Sequence, residues 1–274
     1  MAKLLNENNH LVQESKKSLI TTKQEMLKMI SLYKFKLLLP LIFTFLMIYI
    51  GIWDNSYLML PAISSVMTFL WYLFIMRAYK KKESKVKEKY NKAIIKKAGA
   101  DGEINSLKTL LELSDDYSII QDLEIYDGEK KSQLDAVVIG RTGIFIIETK
   151  NLSGEIIGNE HDKNVTQIKR YKNKSNVTKN IYNPIKQVKT HHYRLSKLLR
   201  DNGFKYRIES IVYFCNPSAK VNLESNIVKV FSKSDYGDEE MKEFITEYER
   251  CRLSENNKKE IEELLLKYTR KKSI

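Results

Sequence analysis

Two uncharged apolar stretches near the start of the chain constrain its fold more than any other feature. They are "LLLPLIFTFLMIYIGIW", residues 37–53, and "YLMLPAISSVMTFLWYLFIM", residues 57–76. Each is close to the roughly 20 residues that a helix needs to cross a bilayer. Because only residues 54–56 separate them, we expect a tight transmembrane hairpin. The alternative, a buried helix pair in a soluble core, fits poorly with the basic residues on both flanks.

The charge distribution predicts which side of the membrane each part occupies. Residues 77–98 carry 10 Lys/Arg and 2 Asp/Glu, while the whole chain has a net charge of +13. Basic flanks stay on the cytoplasmic side of a membrane. We therefore expect a multi-pass protein of the cell membrane with both termini, and everything after residue 77, in the cytoplasm. No small-residue cleavage site follows the first stretch, which argues against a cleaved signal peptide.

The composition shifts along the chain predict five segments. A polar, loosely amphipathic lead-in precedes the hairpin, and a basic juxtamembrane helix follows it, either as a solvated stalk or against anionic headgroups. A mixed α/β domain comes next, with further elements packed on it. The predicted segments are 1–34 (lead-in), 35–77 (hairpin), 78–98 (basic helix), 99–215 (α/β domain) and 216–274 (C-terminal strand and helices).

The pattern of apolar residues from Gly99 onwards predicts an α/β sandwich around one mixed sheet. Helical spacing covers residues 101–114, and three strands follow, with turns at Asp127-Gly128 and Thr142-Gly143. A basic, β-leaning excursion comes before a helix that Pro184 opens and Gly203 ends. Two strands and two helices, near 237–250 and 255–269, complete the prediction.

Two acidic residues stand at the ends of two neighbouring core strands that the sequence predicts. Asp135 stands before one strand, and Glu148 and Lys150 end the next. A turn centred near residues 141–142 makes these strands antiparallel neighbours and places Asp135 opposite Glu148. Side chains two apart share a face of a strand, so Lys150 points the same way as Glu148.

Nearby carboxylates repel each other unless a positive charge lies between them. Mg²⁺ (or Mn²⁺) suits this pair, since it takes oxygen ligands from one or two carboxylates and keeps positions for water and phosphate. The carbonyl of Thr149 would be a further ligand. Lys150 would hold or deprotonate the attacking water, or stabilise charge developing on the phosphate. The predicted chemistry is phosphodiester hydrolysis.

These residues carry a family resemblance. Asp135 followed by Glu148-Thr149-Lys150 resembles the motif of the PD-(D/E)xK nucleases. The ordered set "GEINSLKTLLEL", "QLDAVVIGRTGIFIIETKN" and "NPIKQVKTHHYRL" resembles the nuclease-related domain, NERD, over residues 99–215. The resemblance implies a restriction-endonuclease-like α-β-β-β-α-β core, divalent-metal dependence and cleavage of nucleic acid.

The resemblance also assigns roles to individual residues. It makes Asp135 and Glu148 the metal-binding acids and Lys150 the motif lysine. Glu103 matches the acid of the preceding helix, and Gln187 the glutamine of the following helix. The alternatives are that Glu103 only complements a helix N-terminus and that Gln187 lies on the surface. Leu152 is a departure, since tryptophan is common at that position in the family.

A basic cluster predicts contact with a polyanion such as nucleic acid, which we expect to be DNA rather than RNA. From Lys163 to Arg207 the chain has 13 Lys/Arg and one acidic residue. A solvated face is the alternative. Tyr171 and Tyr182 would stack on bases or pack, and the neighbouring pair His191-His192 is expected to face solvent. The predicted contact residues are Lys169, Arg170, Lys172, Lys174, Lys186, Lys189 and Arg194.

Three functions remain open at this point. The first is a membrane-anchored, metal-dependent nuclease acting on DNA in the cytoplasm. The alternative is a catalytically weak, membrane-tethered module that binds nucleic acid or protein on the same fold. The third is a structural role in which the tether is the functional part, and it leaves the acidic residues unexplained. Cys215 and Cys251 are the two cysteines; without a CxxC motif they indicate ordinary cytosolic thiols.

Overall fold

The computed structural model describes residues 1–6, 10–53, 59–128, 130–171 and 174–269. The predicted hairpin turn at residues 54–56 lies outside the described residues. The chain divides into two compact units, Val12–Lys97 and a second unit made of Met1–Leu11 with Ala98–Ile274. The helices are α1 His10–Trp53, α2 Met59–Leu111, α3 Pro184–Asp201, α4 Gly237–Thr246 and α5 Glu255–Leu266. The strands are β1 Lys3–Leu4, β2 Ser118–Asp127, β3 Lys130–Gly140, β4 Gly143–Lys150, β5 Gly154–Asn159, β6 Asn164–Tyr171, β7 Lys174–Tyr182, β8 Ile208–Phe214, β9 Ala219–Glu224 and β10 Lys229–Ser232.

The first unit is an antiparallel helical hairpin whose apolar half is exposed. Thr44 Oγ1 lies 2.5 Å from Thr68 Oγ1, so α1 and α2 touch through small polar side chains. The most apolar window of α1 is 0% buried and that of α2 is 11% buried, unlike the core helix of a soluble protein. Phe45 is 71% exposed and Phe74 is 64% exposed. Both helices are therefore long and apolar enough to span a membrane.

The polar half of the same hairpin is a two-helix coiled coil. Ser15, Thr22 and Met29 of α1 are buried at intervals of seven residues, the repeat of a coiled coil. Lys96 donates to Glu14 at 2.7 Å across the pair. The predicted lead-in and basic juxtamembrane helix are thus the two arms of one structure. Each continues without a break into an apolar helix.

The second unit is built on a six-stranded mixed sheet in the order β1-β2-β3-β4-β8-β10. Strands β2, β3 and β4 are antiparallel, and β8 joins β4 in parallel. Helix α3 packs on one face through Val188 and Leu195, and α4 packs on the other through Met241. Along the chain the end of α2 is followed by β2, β3 and β4, and three further strands, β5–β7, stand between β4 and the pair α3 and β8. The predicted mixed α/β fold is confirmed.

The prediction of a single sheet is wrong, because residues 154–182 leave it. Strands β7, β6, β5 and β9 form a separate four-stranded sheet. Gly154 opens β5 with φ 88°, in the left-handed region, and a Cβ there would lie 2.4 Å from the Ile168 carbonyl oxygen. Only glycine permits this departure from the main sheet. The predicted basic excursion is the β6–β7 hairpin of this second sheet.

The first residues of the chain add an edge strand to the main sheet. Lys3 and Leu4 pair in parallel with Ser118 and Ile119 of β2. The Asn6 side chain donates to the Gln121 carbonyl at 2.6 Å and accepts from the Gln121 amide at 2.8 Å. The predicted lead-in helix therefore begins as a strand, and α1 starts only at His10.

Candidate active site

The β3–β4 hairpin brings the two predicted metal-binding acids together. Its ladder runs from the Gly140–Gly143 pair to the Ala136–Ile147 pair, so the next residues along are Asp135 and Glu148. The turn therefore lies at residues 141–142, as the sequence predicts. Asp135 Oδ2 accepts a hydrogen bond of 2.8 Å from the Thr149 amide. This bond holds the Asp135 carboxylate against the end of β4.

A lysine-centred network occupies the end of β4. Lys150 Nζ lies 2.6 Å from Glu148 Oε1 and donates to Gln187 Oε1 at 3.0 Å. The Glu148 side chain is 1% exposed, while that of Lys150 is 21% exposed. Three of the predicted site residues thus form one hydrogen-bonded group between β4 and α3. Lys150 is held where it faces both the buried carboxylate and solvent.

A close helix–strand approach brings Glu103 toward the same region. Glu103 lies in the last turns of α2, next to Gly102, where a Cβ would lie 2.6 Å from the Asn151 Cβ. Asn151 Nδ2 in turn donates to the Ala98 carbonyl at 2.8 Å. The glycine in the Gly-Glu motif therefore lets the helix pack on the residue that follows Lys150. This contact places the Glu103 carboxylate near the other acids.

The pKa values of the two strand acids, Asp135 and Glu148, shift in opposite directions. Burial raises the pKa of Asp135 well above its usual value, and the charges of Glu148 and Glu103 add to this effect. Burial acts in the same direction on Glu148, but His191 and Lys150 outweigh it and lower the pKa of Glu148. In the metal-free protein Glu148 therefore loses its proton at a lower pH than Asp135 does.

The Glu103 carboxyl titrates near neutrality. Burial raises its pKa to about 7, and the charges of Asp122 and Glu148 contribute, while Lys150 opposes the shift. A carboxyl group with such a pKa exchanges protons at physiological pH, as general acids and bases do. The helix acid is therefore electrostatically coupled to the strand acids.

The expectation that His191 and His192 face solvent is wrong. His191 is 6% exposed, and its Nε2 lies 3.2 Å from Glu148 Oε2. His192 is half-buried, with Nδ1 3.1 Å from Ser210 Oγ. Among the described residues, no hydrogen bond satisfies either ring nitrogen of His191. The signal in the sequence was spacing: His191 stands four residues after Gln187, so both lie on the face of α3 that covers β4.

Asp122 is a second site residue that the sequence analysis missed. It is 3% exposed, adopts φ 52° and accepts a hydrogen bond from Gln133. In the β2–β3 register it falls opposite Asp135, at a gap between the Gln121–Ala136 and Leu123–Leu134 pairs. Aspartate tolerates the left-handed conformation better than most residues. The signal was an acid inside the apolar run "SIIQDLEI", the same signal that identified Asp135.

The donor atoms suit a hard divalent cation. Glu148 Oε2 is buried, and His191 Nε2 lies 3.2 Å from it outside hydrogen-bond geometry, so no described residue donates a hydrogen bond to this oxygen. The Thr149 amide points at Asp135, and in an extended strand the carbonyl of the same residue points the same way. In the described part of the chain no three His, Cys, Asp or Glu side chains converge as a complete metal cluster. Mg²⁺ needs only one or two carboxylates, so Asp135, Glu148 and Thr149 fit it.

The predicted nucleic-acid contacts divide between the second sheet and α3. Arg170 of β6 pairs with Glu155 at 2.8 Å, and Lys189 of α3 lies 3.7 Å from Glu160. Arg194 donates to the Ser132 hydroxyl. The remaining candidates are Lys169 on β6, Lys186 on α3, Lys174, whose side chain is outside the description, and Lys172, which lies outside the described residues.

Comparison with known proteins identifies the region that carries this site. The family model of the nuclease-related domain matches residues 98–215. No curated protein and no solved structure matches the chain. The matched range includes the acids Glu103, Asp135 and Glu148, together with Lys150 and the α3 residues Gln187 and His191. The chain therefore carries a nuclease-related domain, NERD, and the site described above lies within it.

Proposed function

We propose that this protein is a membrane-anchored, metal-dependent nuclease with a restriction-endonuclease-like core that hydrolyses phosphodiester bonds, in DNA rather than RNA. The observation that carries the proposal is the hydrogen-bonded group of Glu148, Lys150 and Gln187, with Asp135 bonded to the Thr149 amide beside it, within a nuclease-related domain. The group combines a buried acid, a second acid with a raised pKa and a partly exposed lysine. Perturbed groups of this kind cluster at functional sites.

The residues divide the chemistry between them. Asp135, Glu148 and the Thr149 carbonyl would hold Mg²⁺ (or Mn²⁺), which supplies positive charge to stabilise the phosphoryl transition state. Lys150, oriented by Gln187, stabilises negative charge on the phosphate oxygens and orients the attacking water. Glu103, with its pKa raised to about 7, accepts a proton released by that water. Hydrolysis then leaves one phosphate monoester end and one hydroxyl end.

The test is a cleavage panel with the full chain in detergent. Wild type is incubated with single-stranded DNA, double-stranded DNA and RNA, each with Mg²⁺, with Mn²⁺ or with a chelator. We expect metal-dependent cleavage of DNA that is lost in Glu148→Ala. The matched control is Glu247→Ala, which removes an exposed carboxylate from the end of α4. Equal rates for wild type and Glu148→Ala would reject the proposed catalysis.

One observation favours a second function, a binding module without cleavage. Lys150 lies 2.6 Å from Glu148 Oε1 and compensates the charge of this carboxylate without a metal ion, while His191 Nε2 lies 3.2 Å from Oε2. A module of this kind would bind nucleic acid with an affinity that falls steeply with salt and does not depend on Mg²⁺. The same panel separates the two functions. A nuclease cuts with Mg²⁺ and stops cutting in the chelator, whereas a binding module cuts under neither condition.

We further propose that the protein crosses the cell membrane twice, with both termini and the nuclease-related domain in the cytoplasm. The pairing of β1 with β2 supports this, since residues 3–4 and 118–119 must lie on one side. A chain that places both ends of a two-helix hairpin on one side crosses an even number of times. The basic residues that flank the apolar helices favour the cytoplasm for that side.

Labelling in intact cells tests this topology. We expect a membrane-impermeant thiol reagent to label Asn55→Cys from outside, whereas Lys3→Cys reacts only after permeabilisation. The native thiols give little background because Cys215 and Cys251 are buried. Protection of Asn55→Cys in intact cells, with labelling after permeabilisation, would contradict the proposed orientation.

A further inference from the structure

The second sheet carries an open pocket that no step of the proposed hydrolysis uses. Its volume is about 680 Å³, and its charged and aromatic lining comes from Glu155, Lys169, Arg170, Tyr171 and Lys220. These residues belong to β5, β6 and β9. Pockets of this volume accept ligands the size of a nucleotide. The pocket is thus large enough for one monomer of the substrate that the neighbouring site is proposed to cut.

A β-bulge builds this pocket. In a regular strand, consecutive side chains point to opposite faces. Here Lys169, Arg170 and Tyr171 are consecutive, yet all three line the same pocket. The register of β6 against β7 shifts between Lys169 and Tyr171, which is where a bulge re-aims side chains. Bulges of this kind are common next to active sites, where they direct side chains at a ligand.

The charges and the aromatic ring in the pocket suit a nucleotide. Arg170 pairs with Glu155 at 2.8 Å, which leaves Lys169 and Lys220 as an excess of positive charge. An exposed ion pair of this sort contributes little stability, so a phosphate can take over the guanidinium at small cost. Tyr171 is 49% exposed and presents a ring on which a base can stack.

The pocket begins at the end of the strand that carries the catalytic lysine. Ser153 lines it and stands three residues after Lys150, so their Cα atoms are at most about 11 Å apart. Ser218 lines it from the other side, three residues after Cys215, whose amide donates to the Lys150 carbonyl at 3.1 Å. The pocket therefore starts close to the end of β4 that carries the proposed catalytic residues.

We infer that this pocket binds one unpaired nucleotide of the substrate strand, close to the scissile phosphate. Its phosphate lies on Lys169, Arg170 and Lys220, and its base stacks on Tyr171. A paired base has both faces covered by its neighbours and cannot stack on the tyrosine. The inference rests on the proposed function for the position of the scissile bond. It makes single-stranded or unpaired DNA the substrate class.

The test measures binding in the absence of cleavage. The full chain in detergent is titrated into a fluorescent single-stranded 12-mer, and into its duplex, in a chelator. We expect Tyr171→Ala to weaken single-strand binding at least about fivefold and duplex binding less than about twofold. Lys220→Ala is expected to weaken single-strand binding at least about threefold and to lower its salt dependence. The matched control, Lys259→Ala, removes an exposed lysine of α5, outside the basic cluster and the pocket, and should bind like wild type.

The outcomes separate this inference from the proposed function. Wild-type affinity in both pocket variants, or no binding by wild type, overturns the subsite. So does an equal loss for duplex and single strand in Tyr171→Ala. If the pocket variants lose single-strand binding but wild type cuts no better than Glu148→Ala, the subsite stands and the nuclease fails. If cleavage depends on Glu148 and not on the pocket, the nuclease stands and the subsite fails.

Discussion

Replacing Asp135 with asparagine is expected to lower metal-dependent cleavage at least about 100-fold without destabilising the metal-free protein. The raised pKa of Asp135 means that its carboxyl is protonated at low pH in the folded state and is costly to ionise. Asparagine has nearly the same shape, and its carbonyl oxygen can still accept the hydrogen bond from the Thr149 amide. It lacks the negative charge that a divalent cation needs. Activity and stability should therefore move in opposite directions.

The sign of the stability effect follows from linkage. An acid whose pKa is raised on folding binds its proton more tightly in the folded state, so it loses stability as pH rises from the unfolded to the folded pKa. The Asp135→Asn variant would avoid this loss. We expect its melting temperature to equal that of wild type at low pH and to exceed it above the unfolded-state pKa of aspartate. A lower melting temperature across the whole range would show that Asp135 is a structural acid.

Three measurements check the Asp135→Asn prediction. They are the cleavage rate with Mg²⁺, Mg²⁺ binding by calorimetry, and thermal unfolding followed with a thiol-reactive dye. The dye reports on the domain alone, because both cysteines are buried in it and the hairpin has none. Asp201→Asn, an exposed change at the end of α3, is the matched control and should resemble wild type. Cleavage within about threefold of wild type would remove Asp135 from the proposed site.

Replacing Glu103 with glutamine is expected to stabilise the metal-free domain at high pH and to leave it unchanged at low pH. The pKa of Glu103 is raised to about 7, mainly by burial, and by the charges of Asp122 and Glu148. Wild type therefore loses stability as pH rises from the ordinary glutamate pKa toward 7, and glutamine does not. A shift of this size corresponds to at most about 3 kcal/mol.

The Glu103 prediction is checked by dye-monitored melting in a chelator at about pH 5 and about pH 8. We expect the melting temperatures of wild type and Glu103→Gln to agree at the lower pH, with the variant several degrees higher at the upper pH. Glu247→Gln, at an exposed position after α4, is the matched control and should follow wild type at both. Equal melting temperatures for the variant and wild type at the upper pH would show that ionising Glu103 does not destabilise the folded domain.

The parts of the site on the β3–β4 hairpin could be predicted because the position of the turn determines which residues of the two strands pair. Once the turn lies at residues 141–142, antiparallel pairing sets Asp135 opposite Glu148. The period of two then places Lys150 on the face of Glu148, and the 2.6 Å contact agrees with it. Nothing in this inference requires knowledge of how distant elements pack.

The parts on other elements depend on tertiary packing and were harder to predict. His191 reaches Glu148 only because α3 presents that face to β4, and helical spacing alone does not say which face is covered. Asp122 stands on β2, where a left-handed residue breaks the alternation on which the prediction relies. The second sheet was missed because its outer face is polar, so strands such as β6 show few apolar residues. Gly154, which starts it, looks like any turn glycine.

The strand at residues 3–4 ties the folding of the domain to the order in which the chain is made. These residues leave the ribosome before either apolar helix, whereas their partners at residues 118–119 follow both. The main sheet can therefore be completed only after both apolar helices have been made and, in the proposed topology, inserted into the membrane. A chain with only one helix across the membrane would hold β1 and β2 on opposite sides, with the edge of β2 uncovered and open to aggregation or proteolysis. In the proposed topology, β1 can therefore pair with β2 only in chains whose two apolar helices have both crossed the membrane.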